Sequence, residues 1–272
     1  MVLEDVTKAC DIVSGKNMDN NYDLLYFSSN EPLELLFQSF SCQDKDILTV
    51  LGSSDQYFYS LYYGNQDVDV YDKNILAKYY YYLRRWSILY KGNYYLPDKI
   101  IKSHMPIYEL LRYVSPDSQD EEDAYLFWRD YIQNVFPFDN AELFYTNAHR
   151  NDLLDMKLLR EKLEYSKPTI YHIDLFKDVD IPKKYDLVIT SNIFEYGRNN
   201  ILKITTCRDN MIKILKDKGE VISSHLIHYN EDPFYVREKE LFDKYFDYKE
   251  FPYYHEPIFK KKFPLGYQYI KK

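Results

Sequence analysis

The segment Asp46-Ile-Leu-Thr-Val-Leu-Gly-Ser-Ser-Asp-Gln56 constrains the fold of this chain more than any other. An apolar run enters a turn of small residues that ends in a carboxylate. A helix-length stretch follows, and then a second apolar run, Val68-Asp-Val-Tyr-Asp72, with an acid at its carboxyl end. Strand, tight turn, helix, strand and acid form the first half of an α/β unit that binds a nucleoside. Small turn residues let backbone N–H groups approach the ligand. A carboxylate at the tip of the second strand can accept both hydroxyls of a ribose. The turn holds one glycine, Gly52, where the pattern suited to a pyrophosphate has three. A nucleoside without a pyrophosphate is therefore the expected ligand.

The rest of the chain extends the alternation. Residues 1–22 read as polar and irregular, and Ser28-Ser-Asn-Glu-Pro32 as a helix start, giving residues 1–40 the character of an N-terminal helical cap. Leu33, Leu36, Phe37 and Phe40 form an apolar stripe at helical spacing. Helices are predicted over 55–63 and 75–89, the second carrying the run Tyr79–Tyr82 as core with Arg84 and Arg85 on a solvated edge. Residues 92–165 interrupt the pattern with helical stretches near 104–114, 120–134 and 151–165. That is too long for a plain connection, so it reads as an insertion that closes over a cleft. Alternation resumes with strands over 169–175, 185–190 and 220–227. A helix over 200–216 stops at Lys218-Gly219, another covers 233–245, and a strand pair closes the chain over 247–254 and 266–271. The fold expected over 41–272 is a Rossmann-like, mostly parallel seven-stranded sheet with helices on both faces and a terminal antiparallel pair.

Composition excludes several function classes. A net charge of −8 argues against a sequence-independent grip on nucleic acid. No run of eighteen apolar residues exists to span a bilayer, and the acidic N-terminus is no signal peptide. Three cysteines without metal-ligand spacing read as reduced, cytoplasmic thiols. The 31 tyrosines reflect codon bias more than a stacking surface, because they accompany abundant Phe, Lys, Asn and Ile.

Ligands of such a sheet sit beyond the carboxyl ends of the strands, where strand order reverses. Four segments should converge there: Gly52-Ser-Ser-Asp-Gln56, Tyr71-Asp-Lys-Asn74, His172-Ile-Asp-Leu-Phe176 and Ser191-Asn-Ile-Phe-Glu-Tyr196. In their order and spacing these motifs resemble the class I S-adenosylmethionine-dependent methyltransferases. The turn at 52–56 and Asp72-Lys-Asn74 are also similar to the branch containing the 3-amino-3-carboxypropyl transferase of betaine-lipid synthesis. The resemblance implies S-adenosylmethionine as cofactor, held by Gly52, Ser53, Ser54, Asp55, Asp72, Asn74, Asp174, Leu175 and Ser191. It puts Asp55 near the methionine ammonium, Asp72 on the ribose and Asp174 beside adenine with Leu175 or Phe176. Asn192 and Glu195 are the candidates to position or deprotonate an acceptor, and Tyr26, Phe27 and Tyr57 are candidate rings around the sulfonium.

Bland readings stand beside each of these. Ser54 or Asp55 would cap a helix, Asp174 a short loop, and the segment 191–196 would simply bury Phe194. His225-x-x-His228 has no third metal ligand, and Lys260-Lys-Lys262 reads as an exposed strand or turn. Two chemistries stay open within the transferase reading: methyl transfer, favoured, and aminocarboxypropyl transfer. The acceptor expected is a small molecule or lipid-like. A non-catalytic protein of the same fold and a nucleotide-dependent oxidoreductase are the rivals, the latter disfavoured by the missing glycines.

Overall fold

The computed structural model describes residues 2–16, 21–26, 29, 31–64, 67–92, 105–135, 144–145, 154–197, 200–224, 240–251, 253–256, 261–264 and 266–272. The first half of the chain contains α1 (Val2–Val13), β1 (Leu25–Tyr26), α2 (Leu33–Phe37), β2 (Ile47–Val50), α3 (Asp55–Tyr63), β3 (Val68–Asp72), α4 (Leu76–Lys91), α5 (Met105–Leu111) and α6 (Gln119–Val135). The second half contains β4 (Phe144–Tyr145), α7 (Met156–Tyr165), β5 (Ile170–His172), β6 (Tyr185–Ser191), α8 (Ile193–Tyr196), α9 (Ile201–Ile214), β7 (Leu215–Ser223), β8 (Phe246–Glu250), β9 (Tyr253–Glu256), β10 (Lys261–Pro264) and β11 (Tyr267–Lys271).

Seven strands make one sheet in the order β5-β3-β2-β6-β7-β11-β8. The first five are parallel, and β11 runs antiparallel to β7 and β8. This is the Rossmann-like, mostly parallel seven-stranded sheet with a terminal antiparallel pair that the sequence predicts. Side-chain alternation along each strand divides the core between two faces. Ile47 lies beside Val68 and Leu187 in register and joins them on one face, under α3 and α4. Leu48 faces the other way, with Tyr71, Val188 and Val221, under α9. Asn200 starts α9 by accepting from the amides of Leu202 at 3.0 Å and Lys203 at 3.3 Å. The carboxyl end of α3 is closed from α7, where Lys162 Nζ donates to the carbonyls of Leu61, Tyr62 and Gly64 at 2.8–2.9 Å.

The first face is the thicker, and this overturns two expectations. Residues 2–13 form a helix, not an irregular segment. Val6, Ala9 and Ile12 are buried on one side, and the buried Asp5 carboxylate accepts from Tyr22 Oη at 2.6 Å and from Tyr79 Oη. A charge on the apolar side masked the amphipathic pattern. The predicted helices of the insertion exist as α5, α6 and α7, but they stack outside α3 and α4, with α1 against α6. Among the described residues of 92–165, none lines the cleft discussed below, and β4 pairs with β1. α4 has no solvated arginine edge, because Ser53, Asp55 and Phe58 enclose Arg84 while α6 and α7 cover Arg85. Arg84 and Arg85 are both buried. Arg85 Nη1 pairs with Glu121 on α6 at 2.7 Å, and its Nη2 donates to the Leu163 carbonyl on α7 at 3.1 Å. Tyr79, Tyr80, Tyr81 and Tyr82 are core, as expected. Tyr79 stacks on Phe127 at 4.1 Å between centroids, and its carbonyl accepts from Trp128 Nε1 at 2.7 Å.

Two boundaries also move. Lys218 and Gly219 lie inside β7, whose pairing with β6 shifts register between Tyr185 and Leu187; Lys218 has φ +62°, so the feature is a bulge and not a helix end. The strand expected over 247–254 divides into β8 and β9, and β9 with β10 forms a separate hairpin. Ser28, Asn30, His225, His228, Lys260 and residues 233–239 lie outside the described residues.

Candidate active site

The chain runs β2-β3-β5 toward one edge of the sheet and β6-β7 toward the other, so strand order reverses between β2 and β6. A cleft with about 1050 Å³ of empty space, its open mouth included, lies at the carboxyl ends of these strands. The four predicted segments meet in it. Gly52, Ser53, Asp72, Asn74, Asp174 and Leu175 contribute to its wall, as do Ser191 and Asn192.

The β2 turn is held open by backbone geometry. Gly52 has φ +46°, and a Cβ built there would meet nothing within 4 Å, so the missing side chain leaves room toward the cleft. Ser54 follows at φ +71° and Ser191 sits at φ +54° at the end of β6, both left-handed residues other than glycine. Parallel pairing of β2 with β3 places Asp72 beside this turn. Its Oδ2 accepts from the Gly52 amide at 2.7 Å and its Oδ1 from the Asn74 amide at 2.8 Å. Each oxygen keeps a further acceptor site. Burial pushes the Asp72 carboxyl above its ordinary range, and the two amide donors partly oppose this. Asn74 Oδ1 accepts from the Leu76 amide at 3.1 Å, and its Nδ2 donates to the Asp23 carbonyl at 3.0 Å, tying the segment before β1 to the start of α4.

On the β5 side, Ile173, Leu175 and Phe176 present apolar surface, while Asp174 Oδ1 accepts from the Phe176 amide at 3.0 Å. The loop-capping reading of Asp174 is thus observed alongside its place in the wall.

Ser54 and Asp55 do not line the cleft. Asp55 is fully buried and its charge is matched inside the protein. Oδ1 pairs with Arg84 Nη2 at 2.8 Å, while Oδ2 accepts from the Ser29 amide at 2.6 Å and Ser53 Oγ at 2.8 Å. Arg84 also donates to the Ser53 carbonyl and lies 5.1 Å from the Phe58 ring centre. Tyr57 is likewise absent from the wall: it is buried among the helices, 2.7 Å from Ser166 Oγ and edge-on to Tyr81. Phe27 and the side chains of Tyr26 and Glu195 lie outside the described residues. Glu195 belongs to α8, two residues after the cleft residue Ile193.

Two residues to which the sequence reading gave no individual role in binding are central to this site. Gln56 lines the cleft; its Nε2 donates to Glu31 Oε2 at 2.8 Å and to Ser29 Oγ at 3.2 Å, while its buried Oε1 has no partner among the described residues. Glu31, read as an early helix carboxylate, is instead turned inward and fully buried. It accepts from Ser191 Oγ at 2.5 Å and from Ser224 Oγ, joining the N-terminal segment to the tips of β6 and β7. A Glu before Pro-Leu matches an exposed helix start equally well, so no local signal separates the two readings. Among the described residues no three His, Cys, Asp or Glu side chains are grouped to hold a metal, and no helix is long and apolar enough to cross a membrane.

No protein-family model matches the chain, and no curated protein is similar to it in sequence. Several solved structures align with it. The N-methyltransferase NodS from Bradyrhizobium japonicum WM9, in complex with S-adenosyl-L-homocysteine, aligns with a TM-score of 0.46 at 8% identity over 98% of each chain. The glycopeptide N-methyltransferase MtfA, also with S-adenosyl-L-homocysteine, gives 0.42 at 9% identity over 91% of this chain and 92% of that one. A methyltransferase from Pyrococcus furiosus gives 0.41 at 8% identity, covering 88% and 81%. At such scores and identities, the architecture rests on the strand order of the sheet itself.

Proposed function

We propose that this protein is an S-adenosylmethionine-dependent transferase, methyl transfer to a small-molecule or lipid-like acceptor being favoured over aminocarboxypropyl transfer. One observation carries the reading: at the switch point of the sheet, the Asp72 carboxylate faces a cleft beside a turn whose Gly52 leaves open space. The residues present suit the cofactor. Asp72, oriented by two amides, takes the ribose hydroxyls. Leu175, Ile173 and Phe176 give adenine an apolar seat, with Asp174 at its edge. The amino-acid tail then runs the other way across β2, toward Ser53, Gln56 and Ser191. Three strand spacings separate β5 from β6, about 14 Å in all, which accommodates the extended molecule.

A bound sulfonium would supply the leaving group, so the chain's task is positioning and exclusion of water rather than acid–base work. Asn192 orients the acceptor from the β6 tip, and Glu195 is the candidate to hold or deprotonate it. Ser54 and Asp55 support the β2 turn from behind. Residues 1–40 act as a cap through Leu24, Leu25 and Ser29 at the cleft wall.

Mass spectrometry after incubation with S-adenosylmethionine and a panel of amines, lipid head groups and peptides tests the reaction. S-adenosylhomocysteine as product supports methyl transfer, methylthioadenosine the alternative. Neither product, in protein that binds the cofactor, points to a non-catalytic relative of the fold.

A further inference from the structure

Three acidic residues surround the β2 turn, and two are accounted for. Asp55 is neutralised by Arg84, and Asp72 is directed at the ribose position by the Gly52 and Asn74 amides. The third, Glu31, has four neutral donors: Ser29 Oγ at 3.3 Å, Gln56 Nε2 at 2.8 Å, Ser191 Oγ at 2.5 Å and Ser224 Oγ. No cation pairs with it among the described residues. From α3 and α4 the nearby charges are Asp55 and Arg84, which satisfy each other; β6 and β7 present serines. Burial pushes its carboxyl above the ordinary range, and the four donors oppose this only in part. A carboxylate fully enclosed without a counter-charge is costly and is drawn toward its neutral form, and a ligand cation placed near it restores the charged form.

Three of its donors, Ser29, Gln56 and Ser191, line the β6 end of the cleft, and Gln56 Oε1 is an unused buried acceptor there. We infer that Glu31 is a positioning residue that makes this end of the cleft select the primary ammonium group of the ligand's amino-acid tail, acting through Gln56, Ser29 and Ser191. The inference rests on the cofactor reading above and replaces Asp55 in the role that the family resemblance implies. Glu31 orients the Gln56 amide so that its oxygen, and not its nitrogen, is free for the ammonium, and its negative charge stands behind that oxygen.

The test uses two neutral-sulfur probes, S-adenosylhomocysteine and its desamino analogue, which differ by the ammonium group alone. Affinities are measured calorimetrically on the full chain, wild type and Glu31→Gln. The wild type should bind the amino compound at least about tenfold more tightly, the range of one charge-assisted hydrogen bond. Glu31→Gln should remove most of that preference while changing affinity for the desamino analogue less than about threefold, a split that a purely structural role would not give. Equal preference in both proteins overturns the inference. Should the variant bind neither probe because it fails to fold, the wild-type comparison decides: a preference of about tenfold supports the inference, and equal affinities overturn it. Wild type binding neither probe would overturn the cofactor reading, and this inference with it.

Discussion

The Asp55–Arg84 pair offers the sharpest test of how the β2 turn is held. Asp55 is fully buried and Arg84 is 2% exposed, so neither charge is screened by water. Replacing Arg84 by Met keeps much of the volume beside Phe58 and Tyr80 but leaves a buried carboxylate without its counter-charge. Breaking such a pair from one side costs about 3–5 kcal/mol. A chain of 272 residues unfolds with an entropy of about 0.57 kcal/mol/K. The melting temperature of Arg84→Met should therefore fall by about 5–9 °C. Removing the remaining charge in Asp55→Asn/Arg84→Met should recover at least half of that loss, because the penalty belongs to the orphaned carboxylate and not to the pair. Differential scanning calorimetry of wild type, both single variants and the double variant closes the cycle. A drop below about 2 °C in Arg84→Met, or strictly additive single effects, would refute the claim that Asp55 is neutralised inside the protein. It would also return Asp55 to the ligand-binding role the resemblance implies.

Other consequences follow from the same structure. Gly52→Ala meets no atom within 4 Å but forces a left-handed alanine, so it should cost about 1 kcal/mol in denaturant titration while weakening S-adenosylmethionine binding more than stability; unchanged affinity would mean the open space at Gly52 is not used. Cys42 is buried with its thiol pushed up to about 12 by desolvation, and Cys207 is buried as well; a thiol reagent at pH 8 should label at most Cys10 in the native protein and all three cysteines after unfolding, and rapid native labelling of Cys42 would contradict its placement. Lys216, followed by Lys183, holds the Asp46 carboxyl below its ordinary value. A depressed carboxyl stabilises above its unfolded pKa and loses that contribution as pH falls through the folded one. Thermal melts should therefore show a shallower acid decline in Lys216→Met than in wild type below about pH 4; identical profiles would remove Lys216 from the account.

Much of the sheet was legible because its signals are local. Alternating apolar strands, the small-residue turn at Gly52 and the acid at Asp72 each occupy one short segment, and β2, β3, α3, α4 and β6 fall close to their predicted places. The meeting of Gly52, Asp72, Asp174 and Ser191 in one cleft followed from strand order alone. What was illegible depends on tertiary cover. Arg84 and Arg85 look solvated on an isolated helix, but Arg84 is enclosed by Ser53, Asp55 and Phe58, and Arg85 by α6 and α7, the latter two distant in sequence. Asp5 disguises α1 because its partners, Tyr22 and Tyr79, come from elsewhere. Glu31 matches a helix start, and its burial is set by Ser191 and Ser224, about 160 and 190 residues away. Asp55 satisfies the family pattern by position, yet the burial of Arg84 beside it changes its task.

The proposed activity requires an adenosyl group held at the tip of β3 by Asp72. Calorimetry of wild type and Asp72→Ala with S-adenosylmethionine tests this directly. Wild type should bind, and the variant should bind about 10- to 150-fold more weakly, the loss of 1.5–3 kcal/mol expected for a charge-assisted hydrogen bond. Absence of binding heat in the wild type, or equal affinity in the two proteins, would contradict it.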